Sequence, residues 1–346
     1  MTPLFRAPRF ALRRAGVSMI IDARVVILSL VLAALAIGLF LISLSSGRIA
    51  YSFAEVLNVL GGGGDRRSQM VILEWRLPRA VAALILGALL GLSGAIFQSV
   101  TRNPLGSPDI VGFDAGAYSG ALVAMVLLSG GWVTLAVSAM AGGLLTGALI
   151  YLLAWRRGTT GFHLIVIGIG VSAMLTAVNQ WVLLALPVQT AMAAGVWATG
   201  SLARTQADQA VFALIAGLLL IALTLLFSRR MRLLEMGDAR AAALGISVER
   251  SKLLLMVLAV AAMAISTSVA GPIPFVALAA PQMARLLTRA AGTTLLGSMA
   301  TGSALLVGAD YIAQHIIAPA QVPVGIVTLA IGGGYFLWLL IREARK

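Results

Sequence analysis

Long runs without any charged residue constrain this chain more than any other feature of its sequence. Residues 25–47, 80–101, 209–228 and 290–309 contain no Asp, Glu, Lys or Arg. The hydrocarbon core of a bilayer is about 30 Å thick and is crossed by about 20 helical residues. Each run is therefore long enough for one transmembrane helix. Four longer uncharged runs have room for two helices, or for a helix and a re-entrant piece: residues 115–155, 158–203, 253–284 and 311–341.

Composition places the whole chain in a membrane. Hydrophobic residues make up 60% of the 346 and charged residues only 11%, with a mean hydropathy of +1.01, whereas a soluble domain has roughly 25% charged residues. The chain has no cysteine, which excludes disulfides and thiolate metal sites. We predict no metal ligand set and no cofactor. The net charge of +13 is typical of the Lys and Arg in cytoplasmic loops, so the predicted partner is lipid and not nucleic acid.

The apolar runs and the turn signals between them predict an all-α, polytopic membrane protein with ten transmembrane helices. Both termini are basic, which places both in the cytoplasm and requires an even number of spans. We expect a basic cytoplasmic N-terminal segment at 1–24 and a single transmembrane domain at 25–346, with a cytoplasmic segment at 229–252. The predicted spans are 25–46, 79–100, 110–128, 132–154, 162–185, 210–228, 253–270, 275–290, 294–312 and 322–341.

The loop after the first span departs from the charge rule. In the predicted orientation it lies outside the cell membrane, yet it holds Arg48, Arg66, Arg67, Arg76 and Arg79. A basic cluster on the outer side contributes nothing to orientation. We interpret this exception as the sign of a function other than orientation.

Three segments contain too much proline, glycine or charge for a simple span. Residues 74–108 end in Asn-Pro-Leu-Gly-Ser-Pro; non-helical backbone at membrane depth occurs only inside protein or against a water-filled cavity, and an ordinary cytoplasmic turn is the alternative. Residues 228–252 form a polar stretch that suits a short helix docked on a soluble partner, with a solvated loop as the alternative. Residues 269–290 contain three prolines and predict a re-entrant or kinked element.

Smaller signals concern packing and the few acidic residues near membrane depth. The repeated glycines in residues 87–94 indicate close helix contacts, because helices in lipid associate through small residues. We expect Asp310 to be a structural hydrogen-bond acceptor. We expect Asp109 and Asp114 to be acceptors at the start of a helix.

Taken together, these segments resemble the FecCD/BtuC-type permeases of ABC importers for iron–siderophore complexes, haem and cobalamin. The matching blocks come in family order and cover nearly the whole chain after the first span: RLPR…GxxLGLSGAxxQ…xNPLxxP, LEMGDxxAxxLGxxVER, GPIxFxxLxxPxxAR and VPVGIVTxxxGxxxFxWLL. The wording of GAIFQSVTRNPLGSPDIVGF and RRMRLLEMGD is most similar to the ferric-enterobactin, or catecholate, branch of the family.

The resemblance implies an inner-membrane subunit with several protein partners. Two permease subunits would surround a central path, two ABC ATPase subunits would dock beneath, and a periplasmic or lipid-anchored binding protein would deliver a ferric siderophore from outside. Arg76 and Arg79 match positions that hold carboxylates of the binding protein. Gln314 stands where a further docking arginine is expected, which suggests a heterodimer with a second permease chain that retains it.

The resemblance also assigns roles on the cytoplasmic side. The positions that match the ATPase-coupling helix are Glu235, Met236, Gly237, Asp238, Ala242, Leu244 and Gly245. The gate positions are Asn103, Leu105, Gly161 and Phe162, although the family pattern has small hydroxyl residues at the last two. The chain has no GxxxxGK[ST] phosphate loop, so ATP hydrolysis is expected in a partner and this chain is not predicted to be an enzyme.

Three other functions remain as alternatives. An ion-coupled secondary transporter would need charged residues in mid-span, and most spans have none. A membrane-embedded enzyme would need paired carboxylates or a nucleophile with its base, and neither pattern occurs within the spans. Among importers, cobalamin or haem could replace the ferric siderophore as substrate.

Overall fold

A continuous helix from Arg66 to Thr101 runs through the middle of the computed structural model, which describes residues 9–14, 17–128, 130–155 and 161–344. From Ala23 onward the described chain is helical. The helices are α1 (Ala23–Ser45), α2 (Phe53–Leu60), α3 (Arg66–Gln69), α4 (Leu77–Thr101), α5 (Pro108–Val111), α6 (Phe113–Val123), α7 (Trp132–Trp155), α8 (Gly161–Ala185), α9 (Val188–Ala198), α10 (Ala207–Leu226), α11 (Ser228–Glu235), α12 (Asp238–Ala243), α13 (Val248–Ala270), α14 (Val276–Thr288), α15 (Leu295–His315) and α16 (Val324–Ala344).

The basic N-terminal segment contains the only strands among these described residues. Strands β1 (Arg9–Arg14) and β2 (Val17–Asp22) pair antiparallel, with Arg9 opposite Asp22. The Asp22 side chain then caps α1 by accepting a hydrogen bond from the backbone nitrogen of Arg24 at 3.0 Å, as N-cap aspartates do. The all-α prediction thus holds for the membrane domain, and the hairpin precedes it.

Within the described ranges, seven helices are long and apolar enough to cross a membrane. Two shorter apolar helices, Phe113–Leu128 and Val324–Trp338, correspond to the predicted third and tenth spans. The predicted eighth span is only the 13-residue α14, about 20 Å long at 1.5 Å per residue. It follows a non-helical stretch after α13, and Pro281 lies inside it, so the kinked-element prediction describes it better than a simple span.

Helix α4 is the centre of the bundle because its glycines let other backbones touch it. In an apolar stretch of 18 residues, 89% of the residues are buried in the long helix that contains α4, against 11% in α1. A Cβ atom at Gly91 would overlap the carbonyl oxygen of Ser298, and one at Gly94 would overlap that of Ala277. Helices α15 and α14 therefore pack directly on the α4 backbone. The close contacts predicted from the glycine repeat are confirmed.

Several predicted boundaries were wrong for identifiable reasons. The second span does not start near Pro78, because the helix continues back to Arg66 through the π-helical segment Met70–Arg76. The third span is broken: α5 ends at Gly112, which has a φ of 98°, before α6 begins. Helices α2 and α9 were not predicted, since both lie in loops between spans where apolar periodicity is short.

Replacing Gly91 with valine should separate α4 from α15. We expect the midpoint temperature of heat unfolding in detergent to fall. The free energy of unfolding should decrease by about 3 kcal/mol, which is the upper end of the usual cost of overpacking. The fraction of monodisperse protein that survives heating measures it. Gly38→Val is the matched control, because nothing lies within 4 Å of a Cβ at that helical glycine. Equal stability of the two variants would contradict direct backbone packing.

Candidate functional site

The polar clusters of the bundle lie at the two ends of α4. With 25 residues and a rise of 1.5 Å per residue, α4 is about 37 Å long. Arg79 lies at its first turn, and Arg102 follows its last residue. We call the two ends the Arg79 face and the Asp238 face, after the residues at the centre of each cluster.

A buried ion pair organises the Arg79 face. The Arg79 guanidinium donates from Nε to Asp310 Oδ2 at 2.9 Å and from Nη2 to Asp310 Oδ1 at 2.9 Å. The side chains are only 11% and 2% exposed. This bidentate geometry is the strong form of the arginine–carboxylate contact. Asp310 is a structural acceptor, as predicted.

Two glutamines complete this cluster. Gln314 donates from Nε2 to Asp310 Oδ2 at 2.9 Å, and Arg79 Nη1 donates to Gln321 Oε1 at 2.7 Å. Gln314, where a docking arginine was expected, therefore donates a hydrogen bond to the carboxylate that Arg79 neutralises. A second arginine at that position would bring two cations to one carboxylate, while glutamine offers a donor without further charge.

Arg76 is also engaged inside the chain. Its guanidinium donates from Nη1 to the carbonyl oxygen of Leu44 at 2.8 Å and from Nη2 to that of Ile49 at 2.5 Å. It also lies 5.4 Å from the ring centroid of Tyr51. Arg76 thus satisfies backbone carbonyls at the end of α1 and just beyond it. The two arginines predicted to dock a partner both have internal bonds.

Other cations on this face are open to solvent. Arg48, Arg66, Arg67 and Arg204 are exposed, and Arg48 donates to the carbonyl oxygen of Pro319 at 2.8 Å. The acidic Glu55 on α2 belongs to the same face, and a hydrogen bond from the Ser52 backbone lowers its pKa. Cavities of about 380 and 450 Å³ open here and share Ala203 and Gln321 in their linings.

Asp238 is the centre of the opposite face. Its Oδ1 lies 3.0 Å from Arg102 Nη2, and its Oδ2 lies 2.7 Å from Lys252 Nζ. Because Arg102 follows α4 and Lys252 lies in the first turns of α13, one carboxylate joins α12 to two long helices. Gly237, with a φ of 106°, supplies the turn between α11 and α12.

Glu235 makes a second connection on this face. Its Oε1 accepts from the backbone nitrogen of Thr293 at 3.2 Å, and a Cβ at Gly292 would overlap its carboxylate. The end of α11 is thereby attached to the loop between α14 and α15. The segment predicted to couple to an ATPase is thus a pair of short helices with fixed contacts, and the solvated-loop alternative is wrong.

The outer surface of this helix pair is exposed and partly apolar. Met236 is 51% exposed and Leu244 is 58% exposed, and Ala242 and Gly245 are exposed beside them. Ala241 is buried against the bundle. Met236 and Leu244 thus present apolar side chains at the surface of an otherwise polar segment.

The predicted gate residues Asn103 and Leu105 lie in the loop after α4. Asn103 Oδ1 accepts from the backbone nitrogen of Leu105 at 2.9 Å, and the Leu105 side chain is 41% exposed. The loop is held from behind by Gln282 of α14, whose Nε2 donates to the carbonyl oxygen of Pro104 at 3.0 Å and to Gln98 Oε1 at 2.6 Å. It is therefore a packed, non-helical segment.

The other two predicted gate residues, Gly161 and Phe162, are only partly described. The backbone places both in the first turn of α8. The surroundings of both residues lie outside the described part of the chain.

Asp109 and Asp114 serve tertiary contacts. Asp109 Oδ2 accepts from the backbone nitrogen of Phe275 at 3.1 Å, and Asp114 Oδ1 accepts from the Thr267 hydroxyl at 3.1 Å. Both lie in the first turn of a helix, as predicted, Asp109 in α5 and Asp114 in α6, but these two bonds come from residues of other elements. Both carboxylates instead connect the broken third span to residues that precede α14.

Sequence reasoning missed the partners that complete these clusters. Gln98 and Gln282 lie within the recognised sequence blocks, but nothing in the sequence pairs them. Arg102 and Lys252 cannot be told apart in the sequence from the other Lys and Arg residues that orient the chain in the membrane. No group of three or more His, Asp or Glu side chains that could hold a metal ion occurs among the described residues.

Asp310→Asn should destabilise the chain strongly, because it leaves the Arg79 guanidinium buried without a counterion. Removing one partner of a buried pair costs about 3–5 kcal/mol. The double variant Arg79→Gln/Asp310→Asn should lose less than the sum of the two single variants, since it leaves no lone charge. Heat unfolding of all three in detergent measures this. Strict additivity would contradict the pair.

The sequence profile of the FecCD transport family matches residues 34–342. The ferric enterobactin transport system permease protein FepG of Escherichia coli (strain K12) is 52% identical over 304 residues, covering 88% of this chain and 92% of that protein. The hemin transport system permease protein HmuU of Yersinia pestis is 32% identical, covering 88% and 92% of the two chains.

A solved structure has the same fold. It is an inward-facing conformation of a metal-chelate type ABC transporter, with a TM-score of 0.81 and 28% sequence identity, covering 91% of this chain and 98% of that chain. The chain therefore has a fold that is already known in an ABC transporter.

Proposed function

We propose, since this chain belongs to the FecCD transport family, that it is the membrane-spanning permease subunit of an ABC importer for ferric siderophores. The observation that carries the proposal is the 52% identity to a ferric enterobactin permease over 88% of the chain. We take a catecholate siderophore of the enterobactin type as the substrate. The lower identity of 32% to a hemin permease makes haem the weaker candidate.

The Asp238 face is the proposed contact with a separate ATPase subunit. Met236 and Leu244 would enter a groove of that subunit, as the apolar face of a short helix does. Nucleotide-driven movement of the ATPase would then reach α4 and α13 through Asp238, and the α14–α15 loop through Glu235. This assignment places residues 229–252 and both termini in the cytoplasm of an inner-membrane protein.

The Arg79 face is the proposed contact with the binding protein. Its exposed arginines give an acidic partner a positive surface, which acts on the rate and register of docking more than on affinity. Arg79 contributes by neutralising Asp310, Gln314 by a hydrogen bond to the same carboxylate, and Arg76 by fixing the loop after α1. A charge reversal at Arg79 would place two carboxylates together, so it would test the fold and not docking alone.

The path and the second subunit complete the proposal. We place Asn103 and Leu105 beside the inner opening of the path, with Gly161 and Phe162 as further gate candidates. The lining of the path would come from two permease chains. Gln314 favours a heterodimer, because a partner chain with arginine there would supply the docking charge that this chain lacks.

Import by the purified system should follow ATP. We expect proteoliposomes with this chain, its permease partner, the ATPase and the binding protein to accumulate ferric enterobactin only with hydrolysable ATP. Radioactive iron in filtered vesicles measures it. A protonophore serves as the control and should have no effect. Uptake driven by a proton gradient without ATP would support a secondary transporter instead.

Leu244→Asp should weaken ATPase binding, because it puts a charge into an apolar contact. We expect the amount of ATPase that co-purifies in detergent to fall about tenfold, for a loss of about 1.4 kcal/mol. Leu57→Asp is the matched control: Leu57 is similarly exposed, 63% against 58%, and lies on α2 at the opposite face. If both variants retain the ATPase fully, the contact lies elsewhere.

A further inference from the structure

The cavity of about 450 Å³ on the Arg79 face has a lining suited to an anion. Its walls include the aromatic rings of Trp132 on α7 and Trp197 on α9. Its polar lining residues are Ser201, Arg204, Thr205, Gln209, Ser268 and Gln321. No Asp or Glu occurs among the described residues that line it. The volume lies within the range of about 300–1,000 Å³ that is usual for small-ligand pockets.

Two of these polar groups lack an acceptor. Arg204 is exposed and makes no ion pair or hydrogen bond with any described residue. The Thr205 hydroxyl is buried and finds no hydrogen-bond partner in the described chain. An unpaired buried hydroxyl costs roughly 1–3 kcal/mol. A guanidinium and a hydroxyl next to each other are thus left to donate to something that is not part of this chain.

Both lining glutamines also present donors. The Oε1 of Gln321 already accepts from Arg79 Nη1 at 2.7 Å, and the Oε1 of Gln209 accepts from the backbone nitrogen of Gln206 at 3.0 Å. Their amide NH₂ groups therefore remain for another acceptor. Asp208 is nearby and exposed, but it accepts from the backbone nitrogen of Gln209 at 2.8 Å and does not line the cavity.

The turn that carries Arg204 is fixed in place. Ser201 donates from its backbone nitrogen to the carbonyl oxygen of Ala270 at 2.7 Å, and Gly325 donates to that of Gly200 at 3.1 Å. Gly200 has a φ of 65°, and a Cβ there would overlap the carbonyl oxygen of Pro272. The donors are held on a rigid frame made by α13 and α16, which lowers the entropy cost of binding.

We propose that this cavity binds an anionic aromatic group, namely one catecholate arm of a ferric siderophore. Phenolate oxygens accept from Arg204, Thr205 and the glutamine amides, while the ring lies against tryptophan. A ferric tris-catecholate is negative overall, because its phenolate charges outnumber the charge of the ferric ion. A neutral hydroxamate complex lacks both the ring and the charge. The inference rests on the proposed function and names a contact within it.

The test measures binding without transport. The full chain with its permease partner is placed in lipid nanodiscs, and equilibrium dialysis follows ferric enterobactin labelled with radioactive iron. We expect the Kd to rise about tenfold for Arg204→Gln and about threefold for Thr205→Val, with Arg204→Lys between wild type and Arg204→Gln. Arg67→Gln is the matched control, since it removes an exposed arginine of the same face that does not line the cavity, and it should bind as wild type does.

Each other outcome overturns the proposal. Wild-type affinity in Arg204→Gln removes the cavity as a catecholate site. If Arg204→Gln binds the iron complex normally but loses affinity for the binding protein, the cavity receives an acidic loop instead. If Arg67→Gln raises the Kd as much as Arg204→Gln does, the change in affinity comes from general surface charge and not from this cavity. Absence of any binding by the wild-type chain also overturns it, whereas failure of ATP-driven import in proteoliposomes would overturn the proposed function separately.

Discussion

Direct contact between helix backbones is the interaction on which the rest of this structure depends. Lipid gives helices no hydrophobic reason to associate, so they must gain contact energy from closeness. Gly91 and Gly94 provide it by removing the side chains that would separate α4 from α15 and α14. Helix α4 is thereby fixed at the centre, and its two ends become the fixed points around which both polar faces form. The ion pairs are precise because the helix that carries them cannot shift sideways.

The fold class followed from the sequence to a large extent, and the clusters did so only in part. Uncharged runs located most long helices, because the thickness of a bilayer sets a minimum length. They could not locate α2 and α9, whose short apolar patterns resemble loops, or the break at Gly112, where a positive φ ends one helix and begins another. The glycine contacts were predictable, since small residues at regular spacing on a helix in lipid allow other helices to pack closely against it.

The roles of charged residues were harder to predict, because the residue type is the same whether the side chain faces solvent or a buried partner. Arg79 and Arg76 belong to a recognisable motif, yet their partners, Asp310 and the carbonyl oxygens of Leu44 and Ile49, are distant in sequence. Arg204 lies in no recognised motif and makes no ion pair or hydrogen bond with any residue that the structure describes. Arg76 and Arg79, which have the strongest sequence signal, stabilise the fold. Arg204, which has no such signal, is exposed on the surface.

The double ion pair of Asp238 has a mechanical consequence. A force applied to α12 would act on two helices, since Arg102 follows the last residue of α4 and Lys252 belongs to α13. The other end of α4 lies at the Asp310 cluster. The other end of α13 is Ala270, whose carbonyl oxygen accepts from the backbone nitrogen of Ser201. Asp238 is thus connected, through two different helices, to two separate points at the Arg79 face.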